Sequence, residues 1–214
     1  MSIALILVYT AVASGFLPLL AASYNYSRLD RVLKIMTAFC VVSAISDLAS
    51  LILSHFKVAY NTYFLMHLFD IVAVLFFTAI YCHVFYKPLL KKVTLLLGSI
   101  SLLLMIINGL FIEGIKVYPS VSNTVLSLFL VPLSLIYFYQ LLTRQEFVHI
   151  EKQGLFWINA GVLFYYSVTI FLFMLWNKIN QAEKAEYYMV QSVTNIIANL
   201  LYSVGLLCKP QKTT

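Results

Sequence analysis

Asp47, His67 and Asp70 lie in stretches that otherwise belong in lipid, SAISDLAS and YFLMHLFDIVAV. A carboxylate near the centre of a membrane helix costs about 2.5–3.5 kcal/mol on the mildest scale, so a functional role is the default hypothesis. Two carboxylates can hold a proton or a cation, or share acid–base work. An imidazole changes charge near neutral pH, which suits proton sensing. His67 and Asp70 are three apart and share a helix face. A zinc site needs at least three protein ligands, and a carboxylate-rich set with one histidine is not what zinc favours, so no metal is expected. No nucleophile motif flanks the carboxylates. Ser43 and Ser46 are near Asp47, but lone serines in membrane helices bond to the backbone. No catalytic residue is assigned.

The elements that carry these groups follow from composition. Of 214 residues, 62% are hydrophobic and 10% charged, against about 25% charged in a soluble domain. Mean hydropathy is +0.92. The solvent is therefore lipid, and the fold class is all-α, because a spanning helix satisfies its own backbone. A crossing needs about 20 apolar residues. Seven segments qualify, at about 2–23, 33–54, 62–86, 93–112, 119–142, 154–176 and 187–208. The connections are short and polar, so residues 1–214 read as a single seven-helix domain. Ligand binding or catalysis then falls within the bundle or on a partner. Cys40, Cys82 and Cys208 match no disulfide or metal spacing. The first apolar run lacks the basic start of a signal peptide and reads as a retained helix.

Lys and Arg set the direction. The first, third and fifth connections and the tail hold ten, including Arg144, Lys209 and Lys212. The second, fourth and sixth hold four, including Lys57. The N-terminus is thus expected outside and the C-terminus in the cytoplasm, in a multi-pass protein of the cell membrane, read as a bacterial inner membrane. The net charge of +6 is a topology signal facing anionic headgroups, so membrane lipid is an expected partner and nucleic acid is not.

Depth along each helix then sorts the polar residues. Asp47 and Asp70 each lie eight residues from an outer helix end, about 12 Å deep. Gln191 matches His67 in depth, Asn195 matches Asp70, Asn199 lies one turn deeper, and Asn108 lies near the outer end of the fourth span. The outer half collects Asp47, His67, Asp70, Asn108, Gln191, Asn195 and Asn199; the inner half has chiefly Asn159 and His83. These residues read as an outward pocket for a ligand, proton or ion, as a helix-packing network, or as a catalytic site. Gly98 and Gly109 are isolated and make no GxxxG pair. His83 and His149 read as interfacial. A shift of 125 residues aligns Tyr63 with Tyr188 and Asp70 with Asn195, and Pro18 pairs with Pro132. This suggests a three-plus-one-plus-three parallel repeat, with the prolines as hinges.

Seven helices with the N-terminus outside resemble the transporter–opsin–receptor group in architecture. The seventh helix, YYMVQSVTNIIANLLYSVGLL, has no lysine; a retinal Schiff base is excluded there and no cofactor is expected. It also lacks the paired histidines of the seven-helix hydrolases related to alkaline ceramidase and adiponectin receptors. The runs NTYFLMHLFDIVAVLFFTAIY and QGLFWINAGVLFYYSVTIFLFML are similar to small bacterial seven-helix proteins encoded beside histidine kinases, which implies a signalling role. The leading expectation is a receptor-like sensor acting through a cytoplasmic or membrane partner, with homo-oligomerisation open. Alternatives are a small-solute or proton-coupled transporter, an intramembrane hydrolase or lipid enzyme, and a pore-forming effector.

Overall fold

A computed structural model describes residues 3–56, 59–143, 150–180 and 183–208. Lys57, Arg144, His149, Lys209 and Lys212 lie outside the described residues. Among the described residues no strand occurs, and seven helical stretches are long and apolar enough to cross a membrane. The first comprises two helices, α1 (Ile3–Ser14) and α2 (Phe16–Asn25), followed by a short turn of helix to Arg28. The others are α3 (Arg31–His55), α4 (Ala59–Val84), α5 (Pro88–Ile107), α6 (Ser120–Thr143), α7 (Gly154–Leu175) and α8 (Lys184–Leu207).

Local chemistry explains the boundaries. Asp30 caps α3, its Oδ1 accepting from the Leu33 backbone N–H at 2.8 Å. Pro88 starts α5, where its missing N–H costs nothing. That helix begins at Pro88 rather than at residue 93, because Lys91 and Lys92 can lay their stems along apolar surface. The fourth span closes with a wider π-turn over Asn108–Ile112. Two prolines behave differently. Pro132 sits inside an unbroken α6. Pro18 sits in the first turn of α2, directly after the break at Gly15. Lacking an N–H, Pro18 cannot bond the Ser14 carbonyl, so the first span is interrupted where the fifth is only relieved.

The spans pack in chain order, and the first closes the ring against α8 while α4 also touches α6. The helices alternate in direction. The amino end of the bundle gathers Leu5, Phe56, Thr62 and Ala185 around one groove, while Asn25 reaches Leu206 and Cys208 at the carboxyl end. The centre is apolar, with Met36, Val74, Phe77, Leu130, Ile158, Val162 and Leu206 all buried. Large apolar side chains also cover the periphery, as Phe111 and Leu142 do, which fits a lipid solvent. The sequence offers no GxxxG pair, yet α7 and α8 touch backbone to backbone through single glycines. A Cβ on Gly205 would lie 2.7 Å from the Gly154 carbonyl oxygen. One glycine from each helix is enough for close approach, and a motif search along one helix cannot see it.

Candidate functional site

α3 and α4 are antiparallel neighbours, and each presents its carboxylate to the same interior space. Asp47 and Asp70 both line a pocket of about 80 Å³. α8 adds Asn195 and Asn199, α6 adds Asn123, and the phenol-bearing Tyr165, Tyr166 and Tyr202 complete its polar lining with Ser43. Among the described residues no Lys, Arg or His lines it. Asp70 is 2% exposed, and its Oδ2 has no hydrogen-bond partner among the described residues. A buried acceptor left unpaired costs about 1–3 kcal/mol, more when charged. A proton or a cationic donor would remove that cost. Asp47 is half-buried and also forms part of the wall of a second, larger groove of about 890 Å³ at the amino end. Asp47 thus joins the two spaces.

The interrupted first span shapes the pocket. Asn199 donates through Nδ2 to the Ser14 hydroxyl at 2.9 Å, and more weakly to Asn195 Oδ1 at 3.4 Å. Ser14 in turn donates to the Ala11 carbonyl at 2.6 Å. A Cβ on Gly15 would stand 3.9 Å from Asp47 Oδ2 and 4.0 Å from Asn199 Nδ2. The break therefore brings bare backbone up to the carboxylate. On the far side, the Tyr165 hydroxyl lies in electrostatic reach of both Asp47 and Asp70 and adjoins Gln191.

The remaining expected residues are elsewhere. His67 is buried, but its Nε2 faces the Val117 carbonyl at 3.3 Å, and it is not part of the pocket lining. A carbonyl only accepts, so Nε2 carries the proton in that contact. Asn108 is fully buried. Its Nδ2 donates to Glu113 Oε2 at 2.8 Å and to Ser122 Oγ at 3.0 Å. Glu113 also accepts from the Val121 N–H in the first turn of α6, where the helix dipole favours a carboxylate. Nearby, Tyr118 stacks on Trp176 with ring centroids 4.4 Å apart. Burial first, and then its tyrosine and carboxylate neighbours, push its hydroxyl pKa well above the ordinary value. These groups form a clamp on the α5–α6 connection.

Seven expected site residues thus divide. Asp47, Asp70, Asn195 and Asn199 line one pocket, Gln191 adjoins it through Tyr165, and His67 and Asn108 belong to the clamp. The spacing of three between His67 and Asp70 allows a shared face but still leaves about 60° of rotation between them. Sequence reasoning missed Ser14, Asn123, Glu113 and the three tyrosines. Tyr165 and Tyr166 counted only as apolar there, and their hydroxyls gave no periodic signal.

Met36, Phe77, Leu130 and Val162, each no more than 1% exposed, pack in the apolar core. A second buried network joins the Tyr81 hydroxyl to Ser134 Oγ at 2.7 Å and to Asn159 Oδ1 at 2.8 Å. Tyr166 and Tyr202 of the pocket lining lie within electrostatic reach of Tyr81, so the two polar regions adjoin. Among the described residues no three His, Cys, Asp or Glu side chains converge as a metal set. No protein-family model matches the chain, and comparison with curated proteins and with solved structures finds no match.

Proposed function

We propose that the protein is a receptor-like sensor of the cell membrane that takes a cation or proton into the Asp47–Asp70 pocket. The observation that supports this best is the pocket itself: two carboxylates, amides and phenols, with no basic group among the described residues that line it. The Lys and Arg distribution supports an outward amino end and a cytoplasmic carboxyl end, so the ligand arrives from outside or from the outer leaflet. The response passes by helix movement to a cytoplasmic or membrane partner.

Paired assays test this in nanodiscs and proteoliposomes with methylammonium as the probe. Saturable binding that disappears in the D47N/D70N double variant, without methylammonium-driven flux, is the expected result. Equal binding by a correctly folded double variant overturns the site. The broken first span against the pocket favours a second reading, a proton-coupled carrier, since discontinuous helices line transport sites. Sustained flux would select that reading.

A further inference from the structure

The large groove and the small pocket meet at Asp47, and together they describe a ligand with two unlike parts. We infer that the ligand is a long-chain primary amine, its ammonium in the pocket that Asp47 and Asp70 both line and its apolar chain along the groove. The inference rests on the proposed pocket and names the ligand class of that site.

The head is defined by charge and hydrogen bonding. Among the described residues, Asp47 is the one charged side chain that lines the groove, and Asp70 lies in the adjoining pocket, its Oδ2 without a hydrogen-bond partner among them. The site therefore offers negative charge and an acceptor that lacks a donor. A primary ammonium brings three N–H donors. A quaternary ammonium brings the charge and no donor, and an anionic amphiphile meets repulsion. Tyr165 and the amide of Asn195, in the same lining, can accept the remaining N–H groups.

The tail is defined by the groove. Val8 and Val12 of α1, Leu51 and Ile52 of α3 and Met66 of α4 give it an apolar wall. From Val12 to Ala4 the α1 wall runs about 12 Å at the helical rise, room for a chain of about ten carbons. Leu5 and Ile52 on that wall are 41% and 47% exposed. In a bilayer such side chains face hydrocarbon, so an amphiphile reaches the groove sideways from lipid, with its head drawn toward Asp47. A small metal cation would leave the groove unused.

The test compares methylamine, dodecylamine, dodecyltrimethylammonium and dodecanol on nanodisc-embedded protein, with empty nanodiscs as reference. Dodecylamine is expected to bind at least about tenfold more tightly than methylamine, with dodecanol and the quaternary amine much weaker. D47N should weaken both primary amines at least about tenfold. V8F should cut dodecylamine binding toward the methylamine level and leave methylamine unchanged, which partition into lipid alone cannot produce. Full dodecylamine affinity in V8F overturns the tail assignment while the pocket reading stands. Equal binding of the quaternary amine overturns the primary-amine assignment. Failure of every amine to bind, methylamine included, overturns the inference together with the cation reading of the pocket.

Discussion

Asn199 donates to the Ser14 hydroxyl at 2.9 Å, tying the seventh span to the residue where the first span breaks. The bond crosses the seam that closes the ring of helices. It links the first span, divided at Gly15, to the helix that supplies Asn195 and Asn199 to the pocket. Ser14→Ala removes this acceptor and leaves Asn199 with the weaker Asn195 contact. A loss of about 1–2 kcal/mol is expected, read as a lower thermal midpoint in nanodiscs, together with weaker amine binding. An unchanged midpoint and unchanged binding would show that the seam holds without this bond.

Asp70 carries an unpartnered buried oxygen, an arrangement that serves binding at the expense of the empty protein. Asp70→Asn is neutral and nearly isosteric. It should raise the thermal midpoint of the ligand-free protein, by about 1–3 kcal/mol in stability, while lowering amine affinity. A drop in both quantities would instead assign Asp70 to packing.

Gly15 is where the first span gives the pocket bare backbone. A Cβ there lies 3.2 Å from the Val12 carbonyl oxygen and reaches toward Asp47 and Asn199. Gly15 has helical dihedrals, φ −60° and ψ −20°, so Gly15→Ala should change stability by no more than about 1 kcal/mol and weaken amine binding. Gly15→Leu should abolish binding by filling the space beside Asp47. Wild-type affinity in the leucine variant would place the ligand elsewhere.

The seven spans were legible because lipid leaves a chain few choices: long apolar runs must become helices. Depth was legible as well, since Asp47, Asp70, Asn195 and Asn199 fall at similar heights by counting residues, and they line one pocket. Rotation about each helix axis was not, and that separates His67 from Asp70 although they are neighbours in sequence. Glu113 was hidden for another reason. It lies in a connection, where a carboxylate reads as solvated, and only the fold shows it bound to Asn108 and the start of α6. The break at Gly15 needed both the proline's missing N–H and the neighbouring helix.

The glycine contact between α7 and α8 makes a sharp prediction. Gly205→Ala places a methyl group 2.7 Å from the Gly154 carbonyl oxygen and 2.9 Å from Ile158 Cγ1, so backbone must move. The cost should be about 1–3 kcal/mol or more, seen as a lower thermal midpoint. Alanine at Gly98 would come within 2.5 Å of Thr78 Oγ1 and 3.2 Å of its Cγ2; that β-branched side chain is stiff, so a comparable cost is expected there.

Tyr81 tests the independence of the lower network. Tyr81→Phe removes its hydrogen bonds to Ser134 and Asn159 and should cost about 1–3 kcal/mol. Its hydrogen bonds go to residues outside the pocket lining, while Tyr166 and Tyr202 of the lining lie within its electrostatic reach, so amine affinity should change less than in D47N. A loss as large as in D47N would join the network to the pocket.

The packing of α8 is uneven along its length. Its carboxyl end is pinned, by Gly205 against Gly154 and by Asn25 holding the Leu206 and Cys208 carbonyls. Its other end borders open space through Tyr188. Seventeen residues separate Tyr188 from Gly205, about 26 Å of rigid rod. The glycine contact therefore sets the distance between the α7 and α8 backbones at that end. At the groove end the Tyr188 ring meets Trp176 at 5.0 Å, so the two helices are spaced by backbone at one end and by aromatic rings at the other.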